Sequence, residues 1–149
     1  MDENSSYAYL LLSHHFSRTC IVAESDGEAA GFVLGFRPPE APDTLFVWQI
    51  AVGPAHRGRG VGVAMLAALL ERLGESVRYL EATVTPSNDA SRAMFRGFAR
   101  RMNAPCVEEP EPLFRREMFP DGHEEERCLR IGPIDVTSAN RREPSPASA

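Results

Sequence analysis

Hydrophobic spacing along this chain changes period several times, and each change marks an element. Residues 5–16 carry apolar side chains at helical spacing, whereas 19–24 and 29–36 read as strands. Between those strands lies Ser25-Asp26-Gly27-Glu28, whose Asp-Gly pair predicts a hairpin turn. Arg37-Pro38-Pro39-Glu40-Ala41-Pro42 is a loop, and residues 45–52 form an almost unbroken apolar strand. The period turns helical again from Val61 through Val63, Leu66, Leu69 and Leu70 to Leu73. Residues 77–84 are rich in β-formers; Pro86 stops that strand and Ser87-Asn88 offers a cap for a helix from Asp89 to about Met102. A stretch rich in Pro and Glu, 103–121, reads as a long connection, and 127–131 as a closing strand. From Asp135 onward there is almost nothing to bury, which predicts a disordered tail over 135–149 behind a single domain over 1–134. Helix and strand alternate as in an α/β domain.

Composition narrows the partners. The chain has 149 residues, 43% of them hydrophobic, enough for one domain with one core. A net charge of −5 argues against a general nucleic-acid binder, which needs a cationic face. No apolar run reaches membrane-spanning length and Met1-Asp2-Glu3 is unlike a signal peptide, so the expected location is the cytoplasm, without membrane attachment. Cys20, Cys106 and Cys128 are an odd set with no paired metal spacing, so reduced thiols and no metal are expected. Cys128 near His123 could be a metal pair or a nucleophile with its base, but neither a further ligand nor an orienting group accompanies them.

The segment with the most chemistry is Arg57-Gly58-Arg59-Gly60-Val61-Gly62, set between an apolar strand and an apolar helix. Glycines at alternate positions let backbone N–H groups converge on one point, and the following helix adds the positive end of its dipole. A pyrophosphate fits such a loop. A P-loop needs Lys-Ser/Thr after its last glycine, yet Val63 and Ala64 follow Gly62. The dinucleotide fingerprint G-x-G-x-x-G is also a poor match to G-x-G-x-G, with Glu81 the only acid in the next strand.

Arg57, Gly60 and Gly62 instead match R/Q-x-x-G-x-G/A, and the chain resembles the GNAT acetyltransferases, whose loop amides hold the pyrophosphate of acetyl-coenzyme A. Asn88, Ser91, Phe95, Gly97 and Phe98 resemble the second signature of that superfamily, with one residue fewer before the glycine. The opening block from Asp2 to Leu12, the strand from Leu45 to Val52, the block from Leu80 to Asn88, and His123-Glu124-Glu125-Glu126 with Arg130-Ile131-Gly132-Pro133 are similar to blocks of one family within it, the diaminobutyrate acetyltransferases of ectoine biosynthesis. The resemblance implies a GNAT fold: a mixed, twisted central sheet with flanking helices, in which two parallel strands splay to admit the pantetheine arm. It implies acetyl-CoA as co-substrate, L-2,4-diaminobutanoate as acceptor, N4-acetyl-L-2,4-diaminobutanoate as product and a homodimer.

Residue roles follow from that resemblance. Arg57, Gly58, Arg59, Gly60, Val61 and Gly62 would hold the pyrophosphate; Ile50, Ala51 and Val52 would offer main-chain groups to pantetheine and an oxyanion donor; Asn88 and Ser91 would border the same arm. Glu81 would orient the amine and receive its proton, because deprotonating an amine of pKa roughly 10.4 near neutral pH costs on the order of 4 kcal/mol. A solvent-facing strand acid is the plain alternative for it. His123 would help hold or deprotonate the substrate, against an ordinary surface histidine in an acidic run. Trp48 would wall the pocket, against a core aromatic. Asp2 and Tyr7 would contact substrate.

Two departures stand out. The chain opens inside what resembles the superfamily's second helix, so the usual first strand is expected to be missing and a strand edge left unpaired; either the true start lies upstream or the protein is a compact variant stabilised by dimerisation. Phe95 stands where many GNAT enzymes have a tyrosine that protonates the leaving thiolate. Both departures keep open a truncated, non-catalytic acyl-CoA-binding protein; action on another small amine, or on a protein, is a further alternative, and for the protein substrate only the shared cofactor motif speaks.

Overall fold

The computed structural model describes residues 4–137. Its elements follow the alternation read from the sequence: helix α1 (Ser6–His15), strands β1 (Ile21–Ser25), β2 (Glu28–Phe36) and β3 (Thr44–Val52), helix α2 (Val61–Leu73), strand β4 (Tyr79–Val84), helix α3 (Asp89–Arg101), and strands β5 (Cys106–Glu108) and β6 (Arg127–Ile131). They build one six-stranded sheet in the order β1-β2-β3-β4-β6-β5. Only β3 and β4 run parallel; every other neighbouring pair is antiparallel. The sheet is therefore mixed, with its single parallel step at the centre.

The expected hairpin joins β1 to β2, and Asp26 and Gly27 both take positive φ, 52° and 81°, the two-residue geometry that matches strand twist. Burial along α2 falls at Gly62, Met65, Leu66, Leu69, Leu70 and Leu73, the spacing of one helix face. That face packs with Val33, Leu45, Val47, Leu80, Ala82, Val84, Leu129 and Ile131 of the sheet and with Phe95, Phe98 and Ala99 of α3 in one core. Helix α1 instead meets β2 through Tyr9, whose ring stands edge-on to Phe32 with centroids 6.2 Å apart.

Two details differ from the sequence reading. Residues 103–121 are not all connection, since Cys106–Glu108 pairs with β6 as the edge strand β5. Three residues are too short a run to show a period. The closing strand 127–131 is observed with the expected bounds, and in space it lies inside the sheet, between β4 and β5. The packed chain also extends past 134, because Val136, at the start of the expected tail, is buried in the core beside Ile134. Residues 138–149, the rest of that tail, lie outside the described residues, as does Asp2.

The feature that positions a site is a fork. Pairing of β3 with β4 runs only from Thr44 opposite Tyr79 to Val47 opposite Ala82. Beyond that, β3 continues to Val52 bonded to β2 alone, while β4 continues to Val84 bonded to β6. A bulge begins the divergence: Leu34 faces Gln49 and Gly35 faces Val47, so Trp48 is an extra residue in β3. The bulge resets the alternation, which lets Val47 and Ile50, three residues apart, pack against the same core.

Candidate active site

Helix α2 starts beside the fork, and its N-terminus is bare. Gly60 is the N-cap, at φ 74°, with no side-chain hydrogen bond capping the first turn. The N–H groups of the first turn have no partner within a helix, and the positive end of the helix dipole adds to them. A methyl built on Gly58 or Gly60 would meet nothing within 4 Å, so these two glycines serve backbone shape, at φ 75° and 74°. Gly62 does something else. A Cβ there would stand 3.3 Å from Met94 Cγ and 3.7 Å from Ile50 Cδ1, so this glycine lets α2 press against α3 and β3. Arg57 turns back on the fork, its Nε donating to the Val52 carbonyl at 3.2 Å.

On the far side of the fork, Asn88 caps α3: its Oδ1 accepts the Ser91 N–H at 3.1 Å. The two residues expected beside pantetheine are thus one capping unit, at the exposed turn that follows β4. Phe95 is 2% exposed and part of the core. No phenol is available at that position to protonate a leaving thiolate.

Glu81 lies one residue before the last paired position of β4, at the crotch of the fork, between Phe46 on β3 and Arg130 on β6. Arg130 Nη1 donates to Glu81 Oε1, and its guanidinium carbon stands 4.1 Å over the Tyr79 ring. Glu81 is therefore not a free solvent-facing acid; one oxygen is held by a cation and its side chain is mostly covered. Trp48, on the bulge, is 42% exposed, which removes the core-aromatic alternative. Asn4 Nδ2 donates to Gln49 Oε1 at 2.9 Å and fastens the opening block to β3. Tyr7 in that block is 69% exposed.

His123 sits in the segment leading into β6, beyond the end of β4, because Arg127 is the residue opposite Val84. Its Nδ1–H donates to the Glu124 carbonyl at 2.7 Å, and Nε2 stands 3.7 Å from Glu126 Oε1. That hydrogen bond makes Nδ1 a donor, and Nε2 is the ring nitrogen turned toward Glu126. Its face stacks on Phe119 with centroids 4.5 Å apart. Ser87 donates to Glu124, which ties this segment to the turn after β4. Glu81 and His123 occupy different levels: Glu81 is three residues inside the end of β4, about 10 Å by strand rise.

Cys128 faces Thr83 across β4 and β6. Burial pushes its thiol up to about 11, with the Glu81 and Glu109 carboxylates adding to the shift. A thiol so held stays protonated near neutrality, which disfavours the nucleophile considered for it. Arg130 and Glu126 were not among the expected site residues. Cross-strand pairing of Glu81 with Arg130 would have shown the first, had the register of β6 on β4 been readable.

Comparison with known proteins adds to this geometry. The acetyltransferase (GNAT) family model matches residues 2–98. L-2,4-Diaminobutyric acid acetyltransferase of Nocardia farcinica is 51% identical over 135 residues, covering 90% of this chain and 69% of that protein. Its counterpart in Marinococcus halophilus is 47% identical over 136 residues, covering 90% and 78%. Among solved structures, the diaminobutyrate acetyltransferase from Paenibacillus lautus in complex with L-2,4-diaminobutyric acid and coenzyme A superposes with a TM-score of 0.81 at 44% identity, covering 89% of this chain and 81% of that one.

Proposed function

This chain belongs to the acetyltransferase (GNAT) family, and from that premise we propose that it transfers the acetyl group of acetyl-CoA to L-2,4-diaminobutanoate, in ectoine biosynthesis. The observation that carries the reading is its likeness, over nine-tenths of its length, to an enzyme that binds both that diamine and coenzyme A. The bare α2 N-terminus supports a diphosphate there, held by amides of residues 58–62 with Arg57 and Arg59 flanking. The unpaired edge of residues 50–52 supplies main-chain groups for the pantetheine arm, and an N–H there polarises the thioester carbonyl. Asn88 and Ser91 border the arm on the other side.

Acetyl-CoA supplies a thioester; the protein must supply an unprotonated amine beside it. Glu81, at the crotch of the fork, is the proton acceptor we assign, with Arg130 fixing one oxygen and leaving Oε2 to face the amine. His123, its ring fixed by the Glu124 carbonyl, holds the substrate from the end of β4, and Trp48 walls the short carbon chain. Asp2 and Tyr7 complete the pocket. Acetylation falls on the side-chain amine, giving N4-acetyl-L-2,4-diaminobutanoate. The thiolate leaves without a phenol at Phe95, which its acidity allows. We further propose a cytoplasmic homodimer without nucleic-acid or membrane partners; the acidic balance supports the second point, and no helix among the described residues is long and apolar enough to cross a membrane.

Purified protein given acetyl-CoA and diaminobutanoate should release free thiol, and much less with lysine, ornithine or a peptide amine. All sixteen basic residues are arginines, so no lysine of the chain can contribute acceptor background. Cofactor binding without thiol release on diaminobutanoate refutes the reading.

A further inference from the structure

Outside the site already described, one partly buried ion pair has no part in the chemistry yet touches its frame. Arg92, on the first turns of α3, is 13% exposed at its side chain, and Glu108, the last residue of β5, 23%. They make a two-pronged contact: Nε to Oε2 at 3.1 Å and Nη2 to Oε1 at 3.2 Å. The same guanidinium also donates to the carbonyls of Thr85 at 3.3 Å and Pro86 at 3.5 Å, and to Asp89 at 3.2 Å. Arg96 reaches Glu108 at 3.7 Å as well. The Arg92 hydrogen bond holds the Glu108 carboxyl below the usual range.

We propose that Arg92 and Glu108 form a positioning clasp that sets the affinity for acetyl-CoA by fixing the turn at residues 85–88. The proposal rests on the cofactor reading given above. Helix α3 does not need the clasp for its own anchorage, since Phe95, Phe98 and Ala99 bury it in the core. The turn gains more from it, since among the described residues its other long-range side-chain tie is the Ser87–Glu124 hydrogen bond. Residues 86–89 are exposed, and apart from short-range turn bonds the main-chain carbonyls of 85 and 86 are held by Arg92. The clasp closes a ring of contacts: β4, the turn, Arg92, Glu108 at the end of β5, Leu129 of β6 opposite Glu108, and Ala82 of β4 opposite Leu129. Ala82 is the last residue of β4 paired to β3. The ring therefore governs how β4 leaves the fork and where the Asn88 cap sits on its far side. Lysine at 92 could neither grip Glu108 with a planar fork nor reach both carbonyls at once.

Arg92→Lys and Glu108→Gln should each weaken coenzyme A binding, measured by titration calorimetry, and raise the acetyl-CoA KM by about 5- to 20-fold. The KM for diaminobutanoate at saturating acetyl-CoA, and kcat, should stay within about twofold, a split that general destabilisation would not give. The double variant should be no worse than the weaker single one, because both break the same clasp. Wild-type affinity in folded single variants overturns the inference, as does a fully additive double variant. Hydrogen exchange on the unaltered protein covers the case of variants that do not fold: coenzyme A should protect amides at both 58–64 and 85–91. Protection at 58–64 alone overturns the clasp and leaves the cofactor reading standing; protection at neither overturns both.

Discussion

Replacement of Gly60 by alanine puts the cofactor loop under a test with no escape. Its φ of 74° lies in the left-handed region, and a methyl there would meet no atom within 4 Å. The cost of alanine is therefore conformational, about 1–2 kcal/mol for an L-residue in this region. The variant can respond in two ways. If the loop keeps its shape, the cost falls on stability, and Tm drops by about 2–8 °C for a chain of this size, with coenzyme A affinity unchanged. If the loop relaxes, the melt stays near wild type, but binding has to restore the turn, and Kd rises by about 5- to 30-fold. Mixed responses divide the same total. Melts across a coenzyme A series give both quantities at once, because the ligand-dependent rise in Tm reports Kd. Gly60→Asn should lose less on both, since asparagine tolerates this backbone region. A Gly60→Ala protein with unchanged melt and unchanged Kd would refute the left-handed turn as the element that aims the α2 amides.

Arg130→Met should lower kcat/KM for diaminobutanoate by about 10-fold or more while the acetyl-CoA KM holds, because it frees the Glu81 oxygen that the cation positions; unchanged steady-state kinetics would remove the pair from the reaction. Trp48→Ala should raise the diaminobutanoate KM with a melt within about 1 kcal/mol of wild type, its ring being half in solvent; a large loss of stability contradicts a pocket-wall role. With its thiol pushed up to about 11, Cys128 is ionised to only ~0.1% at pH 8, so it should alkylate far more slowly than an ordinary cysteine, as peptide mapping after iodoacetamide can show. The same shift stabilises the fold below the unfolded thiol's pKa, and that share is lost as pH rises toward 11. Glu108, held low chiefly by Arg92, works in the opposite sense: its stabilisation is present above the unfolded carboxyl pKa near ~4.3 and fades as pH falls, so Glu108→Gln should flatten the acid limb of the melt-versus-pH curve.

Much of this architecture is legible in the residues. The switch from a β-rich run to period 3.6 at Val61 and again at Asp89 places both site-bearing helices within a residue of their observed ends, because each begins at a chemical signal, Gly60 and Asn88. Asp26-Gly27 likewise yields its hairpin. Strand β5 escapes detection since Cys106–Glu108 is held by its neighbour and not by any pattern of its own. The site divides along the same line. Gly60 and Asn88 act through local backbone and could be read in order along the chain. Arg130 beside Glu81 depends on which strands are neighbours and in what register, and Glu108 beside Arg92 on where β5 lies against α3, whereas Glu126 beside His123 is a local three-residue spacing. Gly62 shows a subtler limit: the motif marks it as part of the anion loop, whereas its lack of a side chain serves the contact with Met94.

Because the cradle proposed for the coenzyme is made of peptide groups, at a glycine turn and along an unpaired strand edge, few of its contacts depend on which side chains surround it. The residues proposed to read the acceptor amine, Trp48, Glu81 and His123, project from separate elements around that cradle. Acceptor range and donor handling are thus separable in evolution and in engineering. Exchanges at positions 48 and 123, with Glu81 kept as proton acceptor, should redirect acetylation to other short diamines while the donor's foothold is inherited whole, and a library confined to those two codons is the economical way to exploit it.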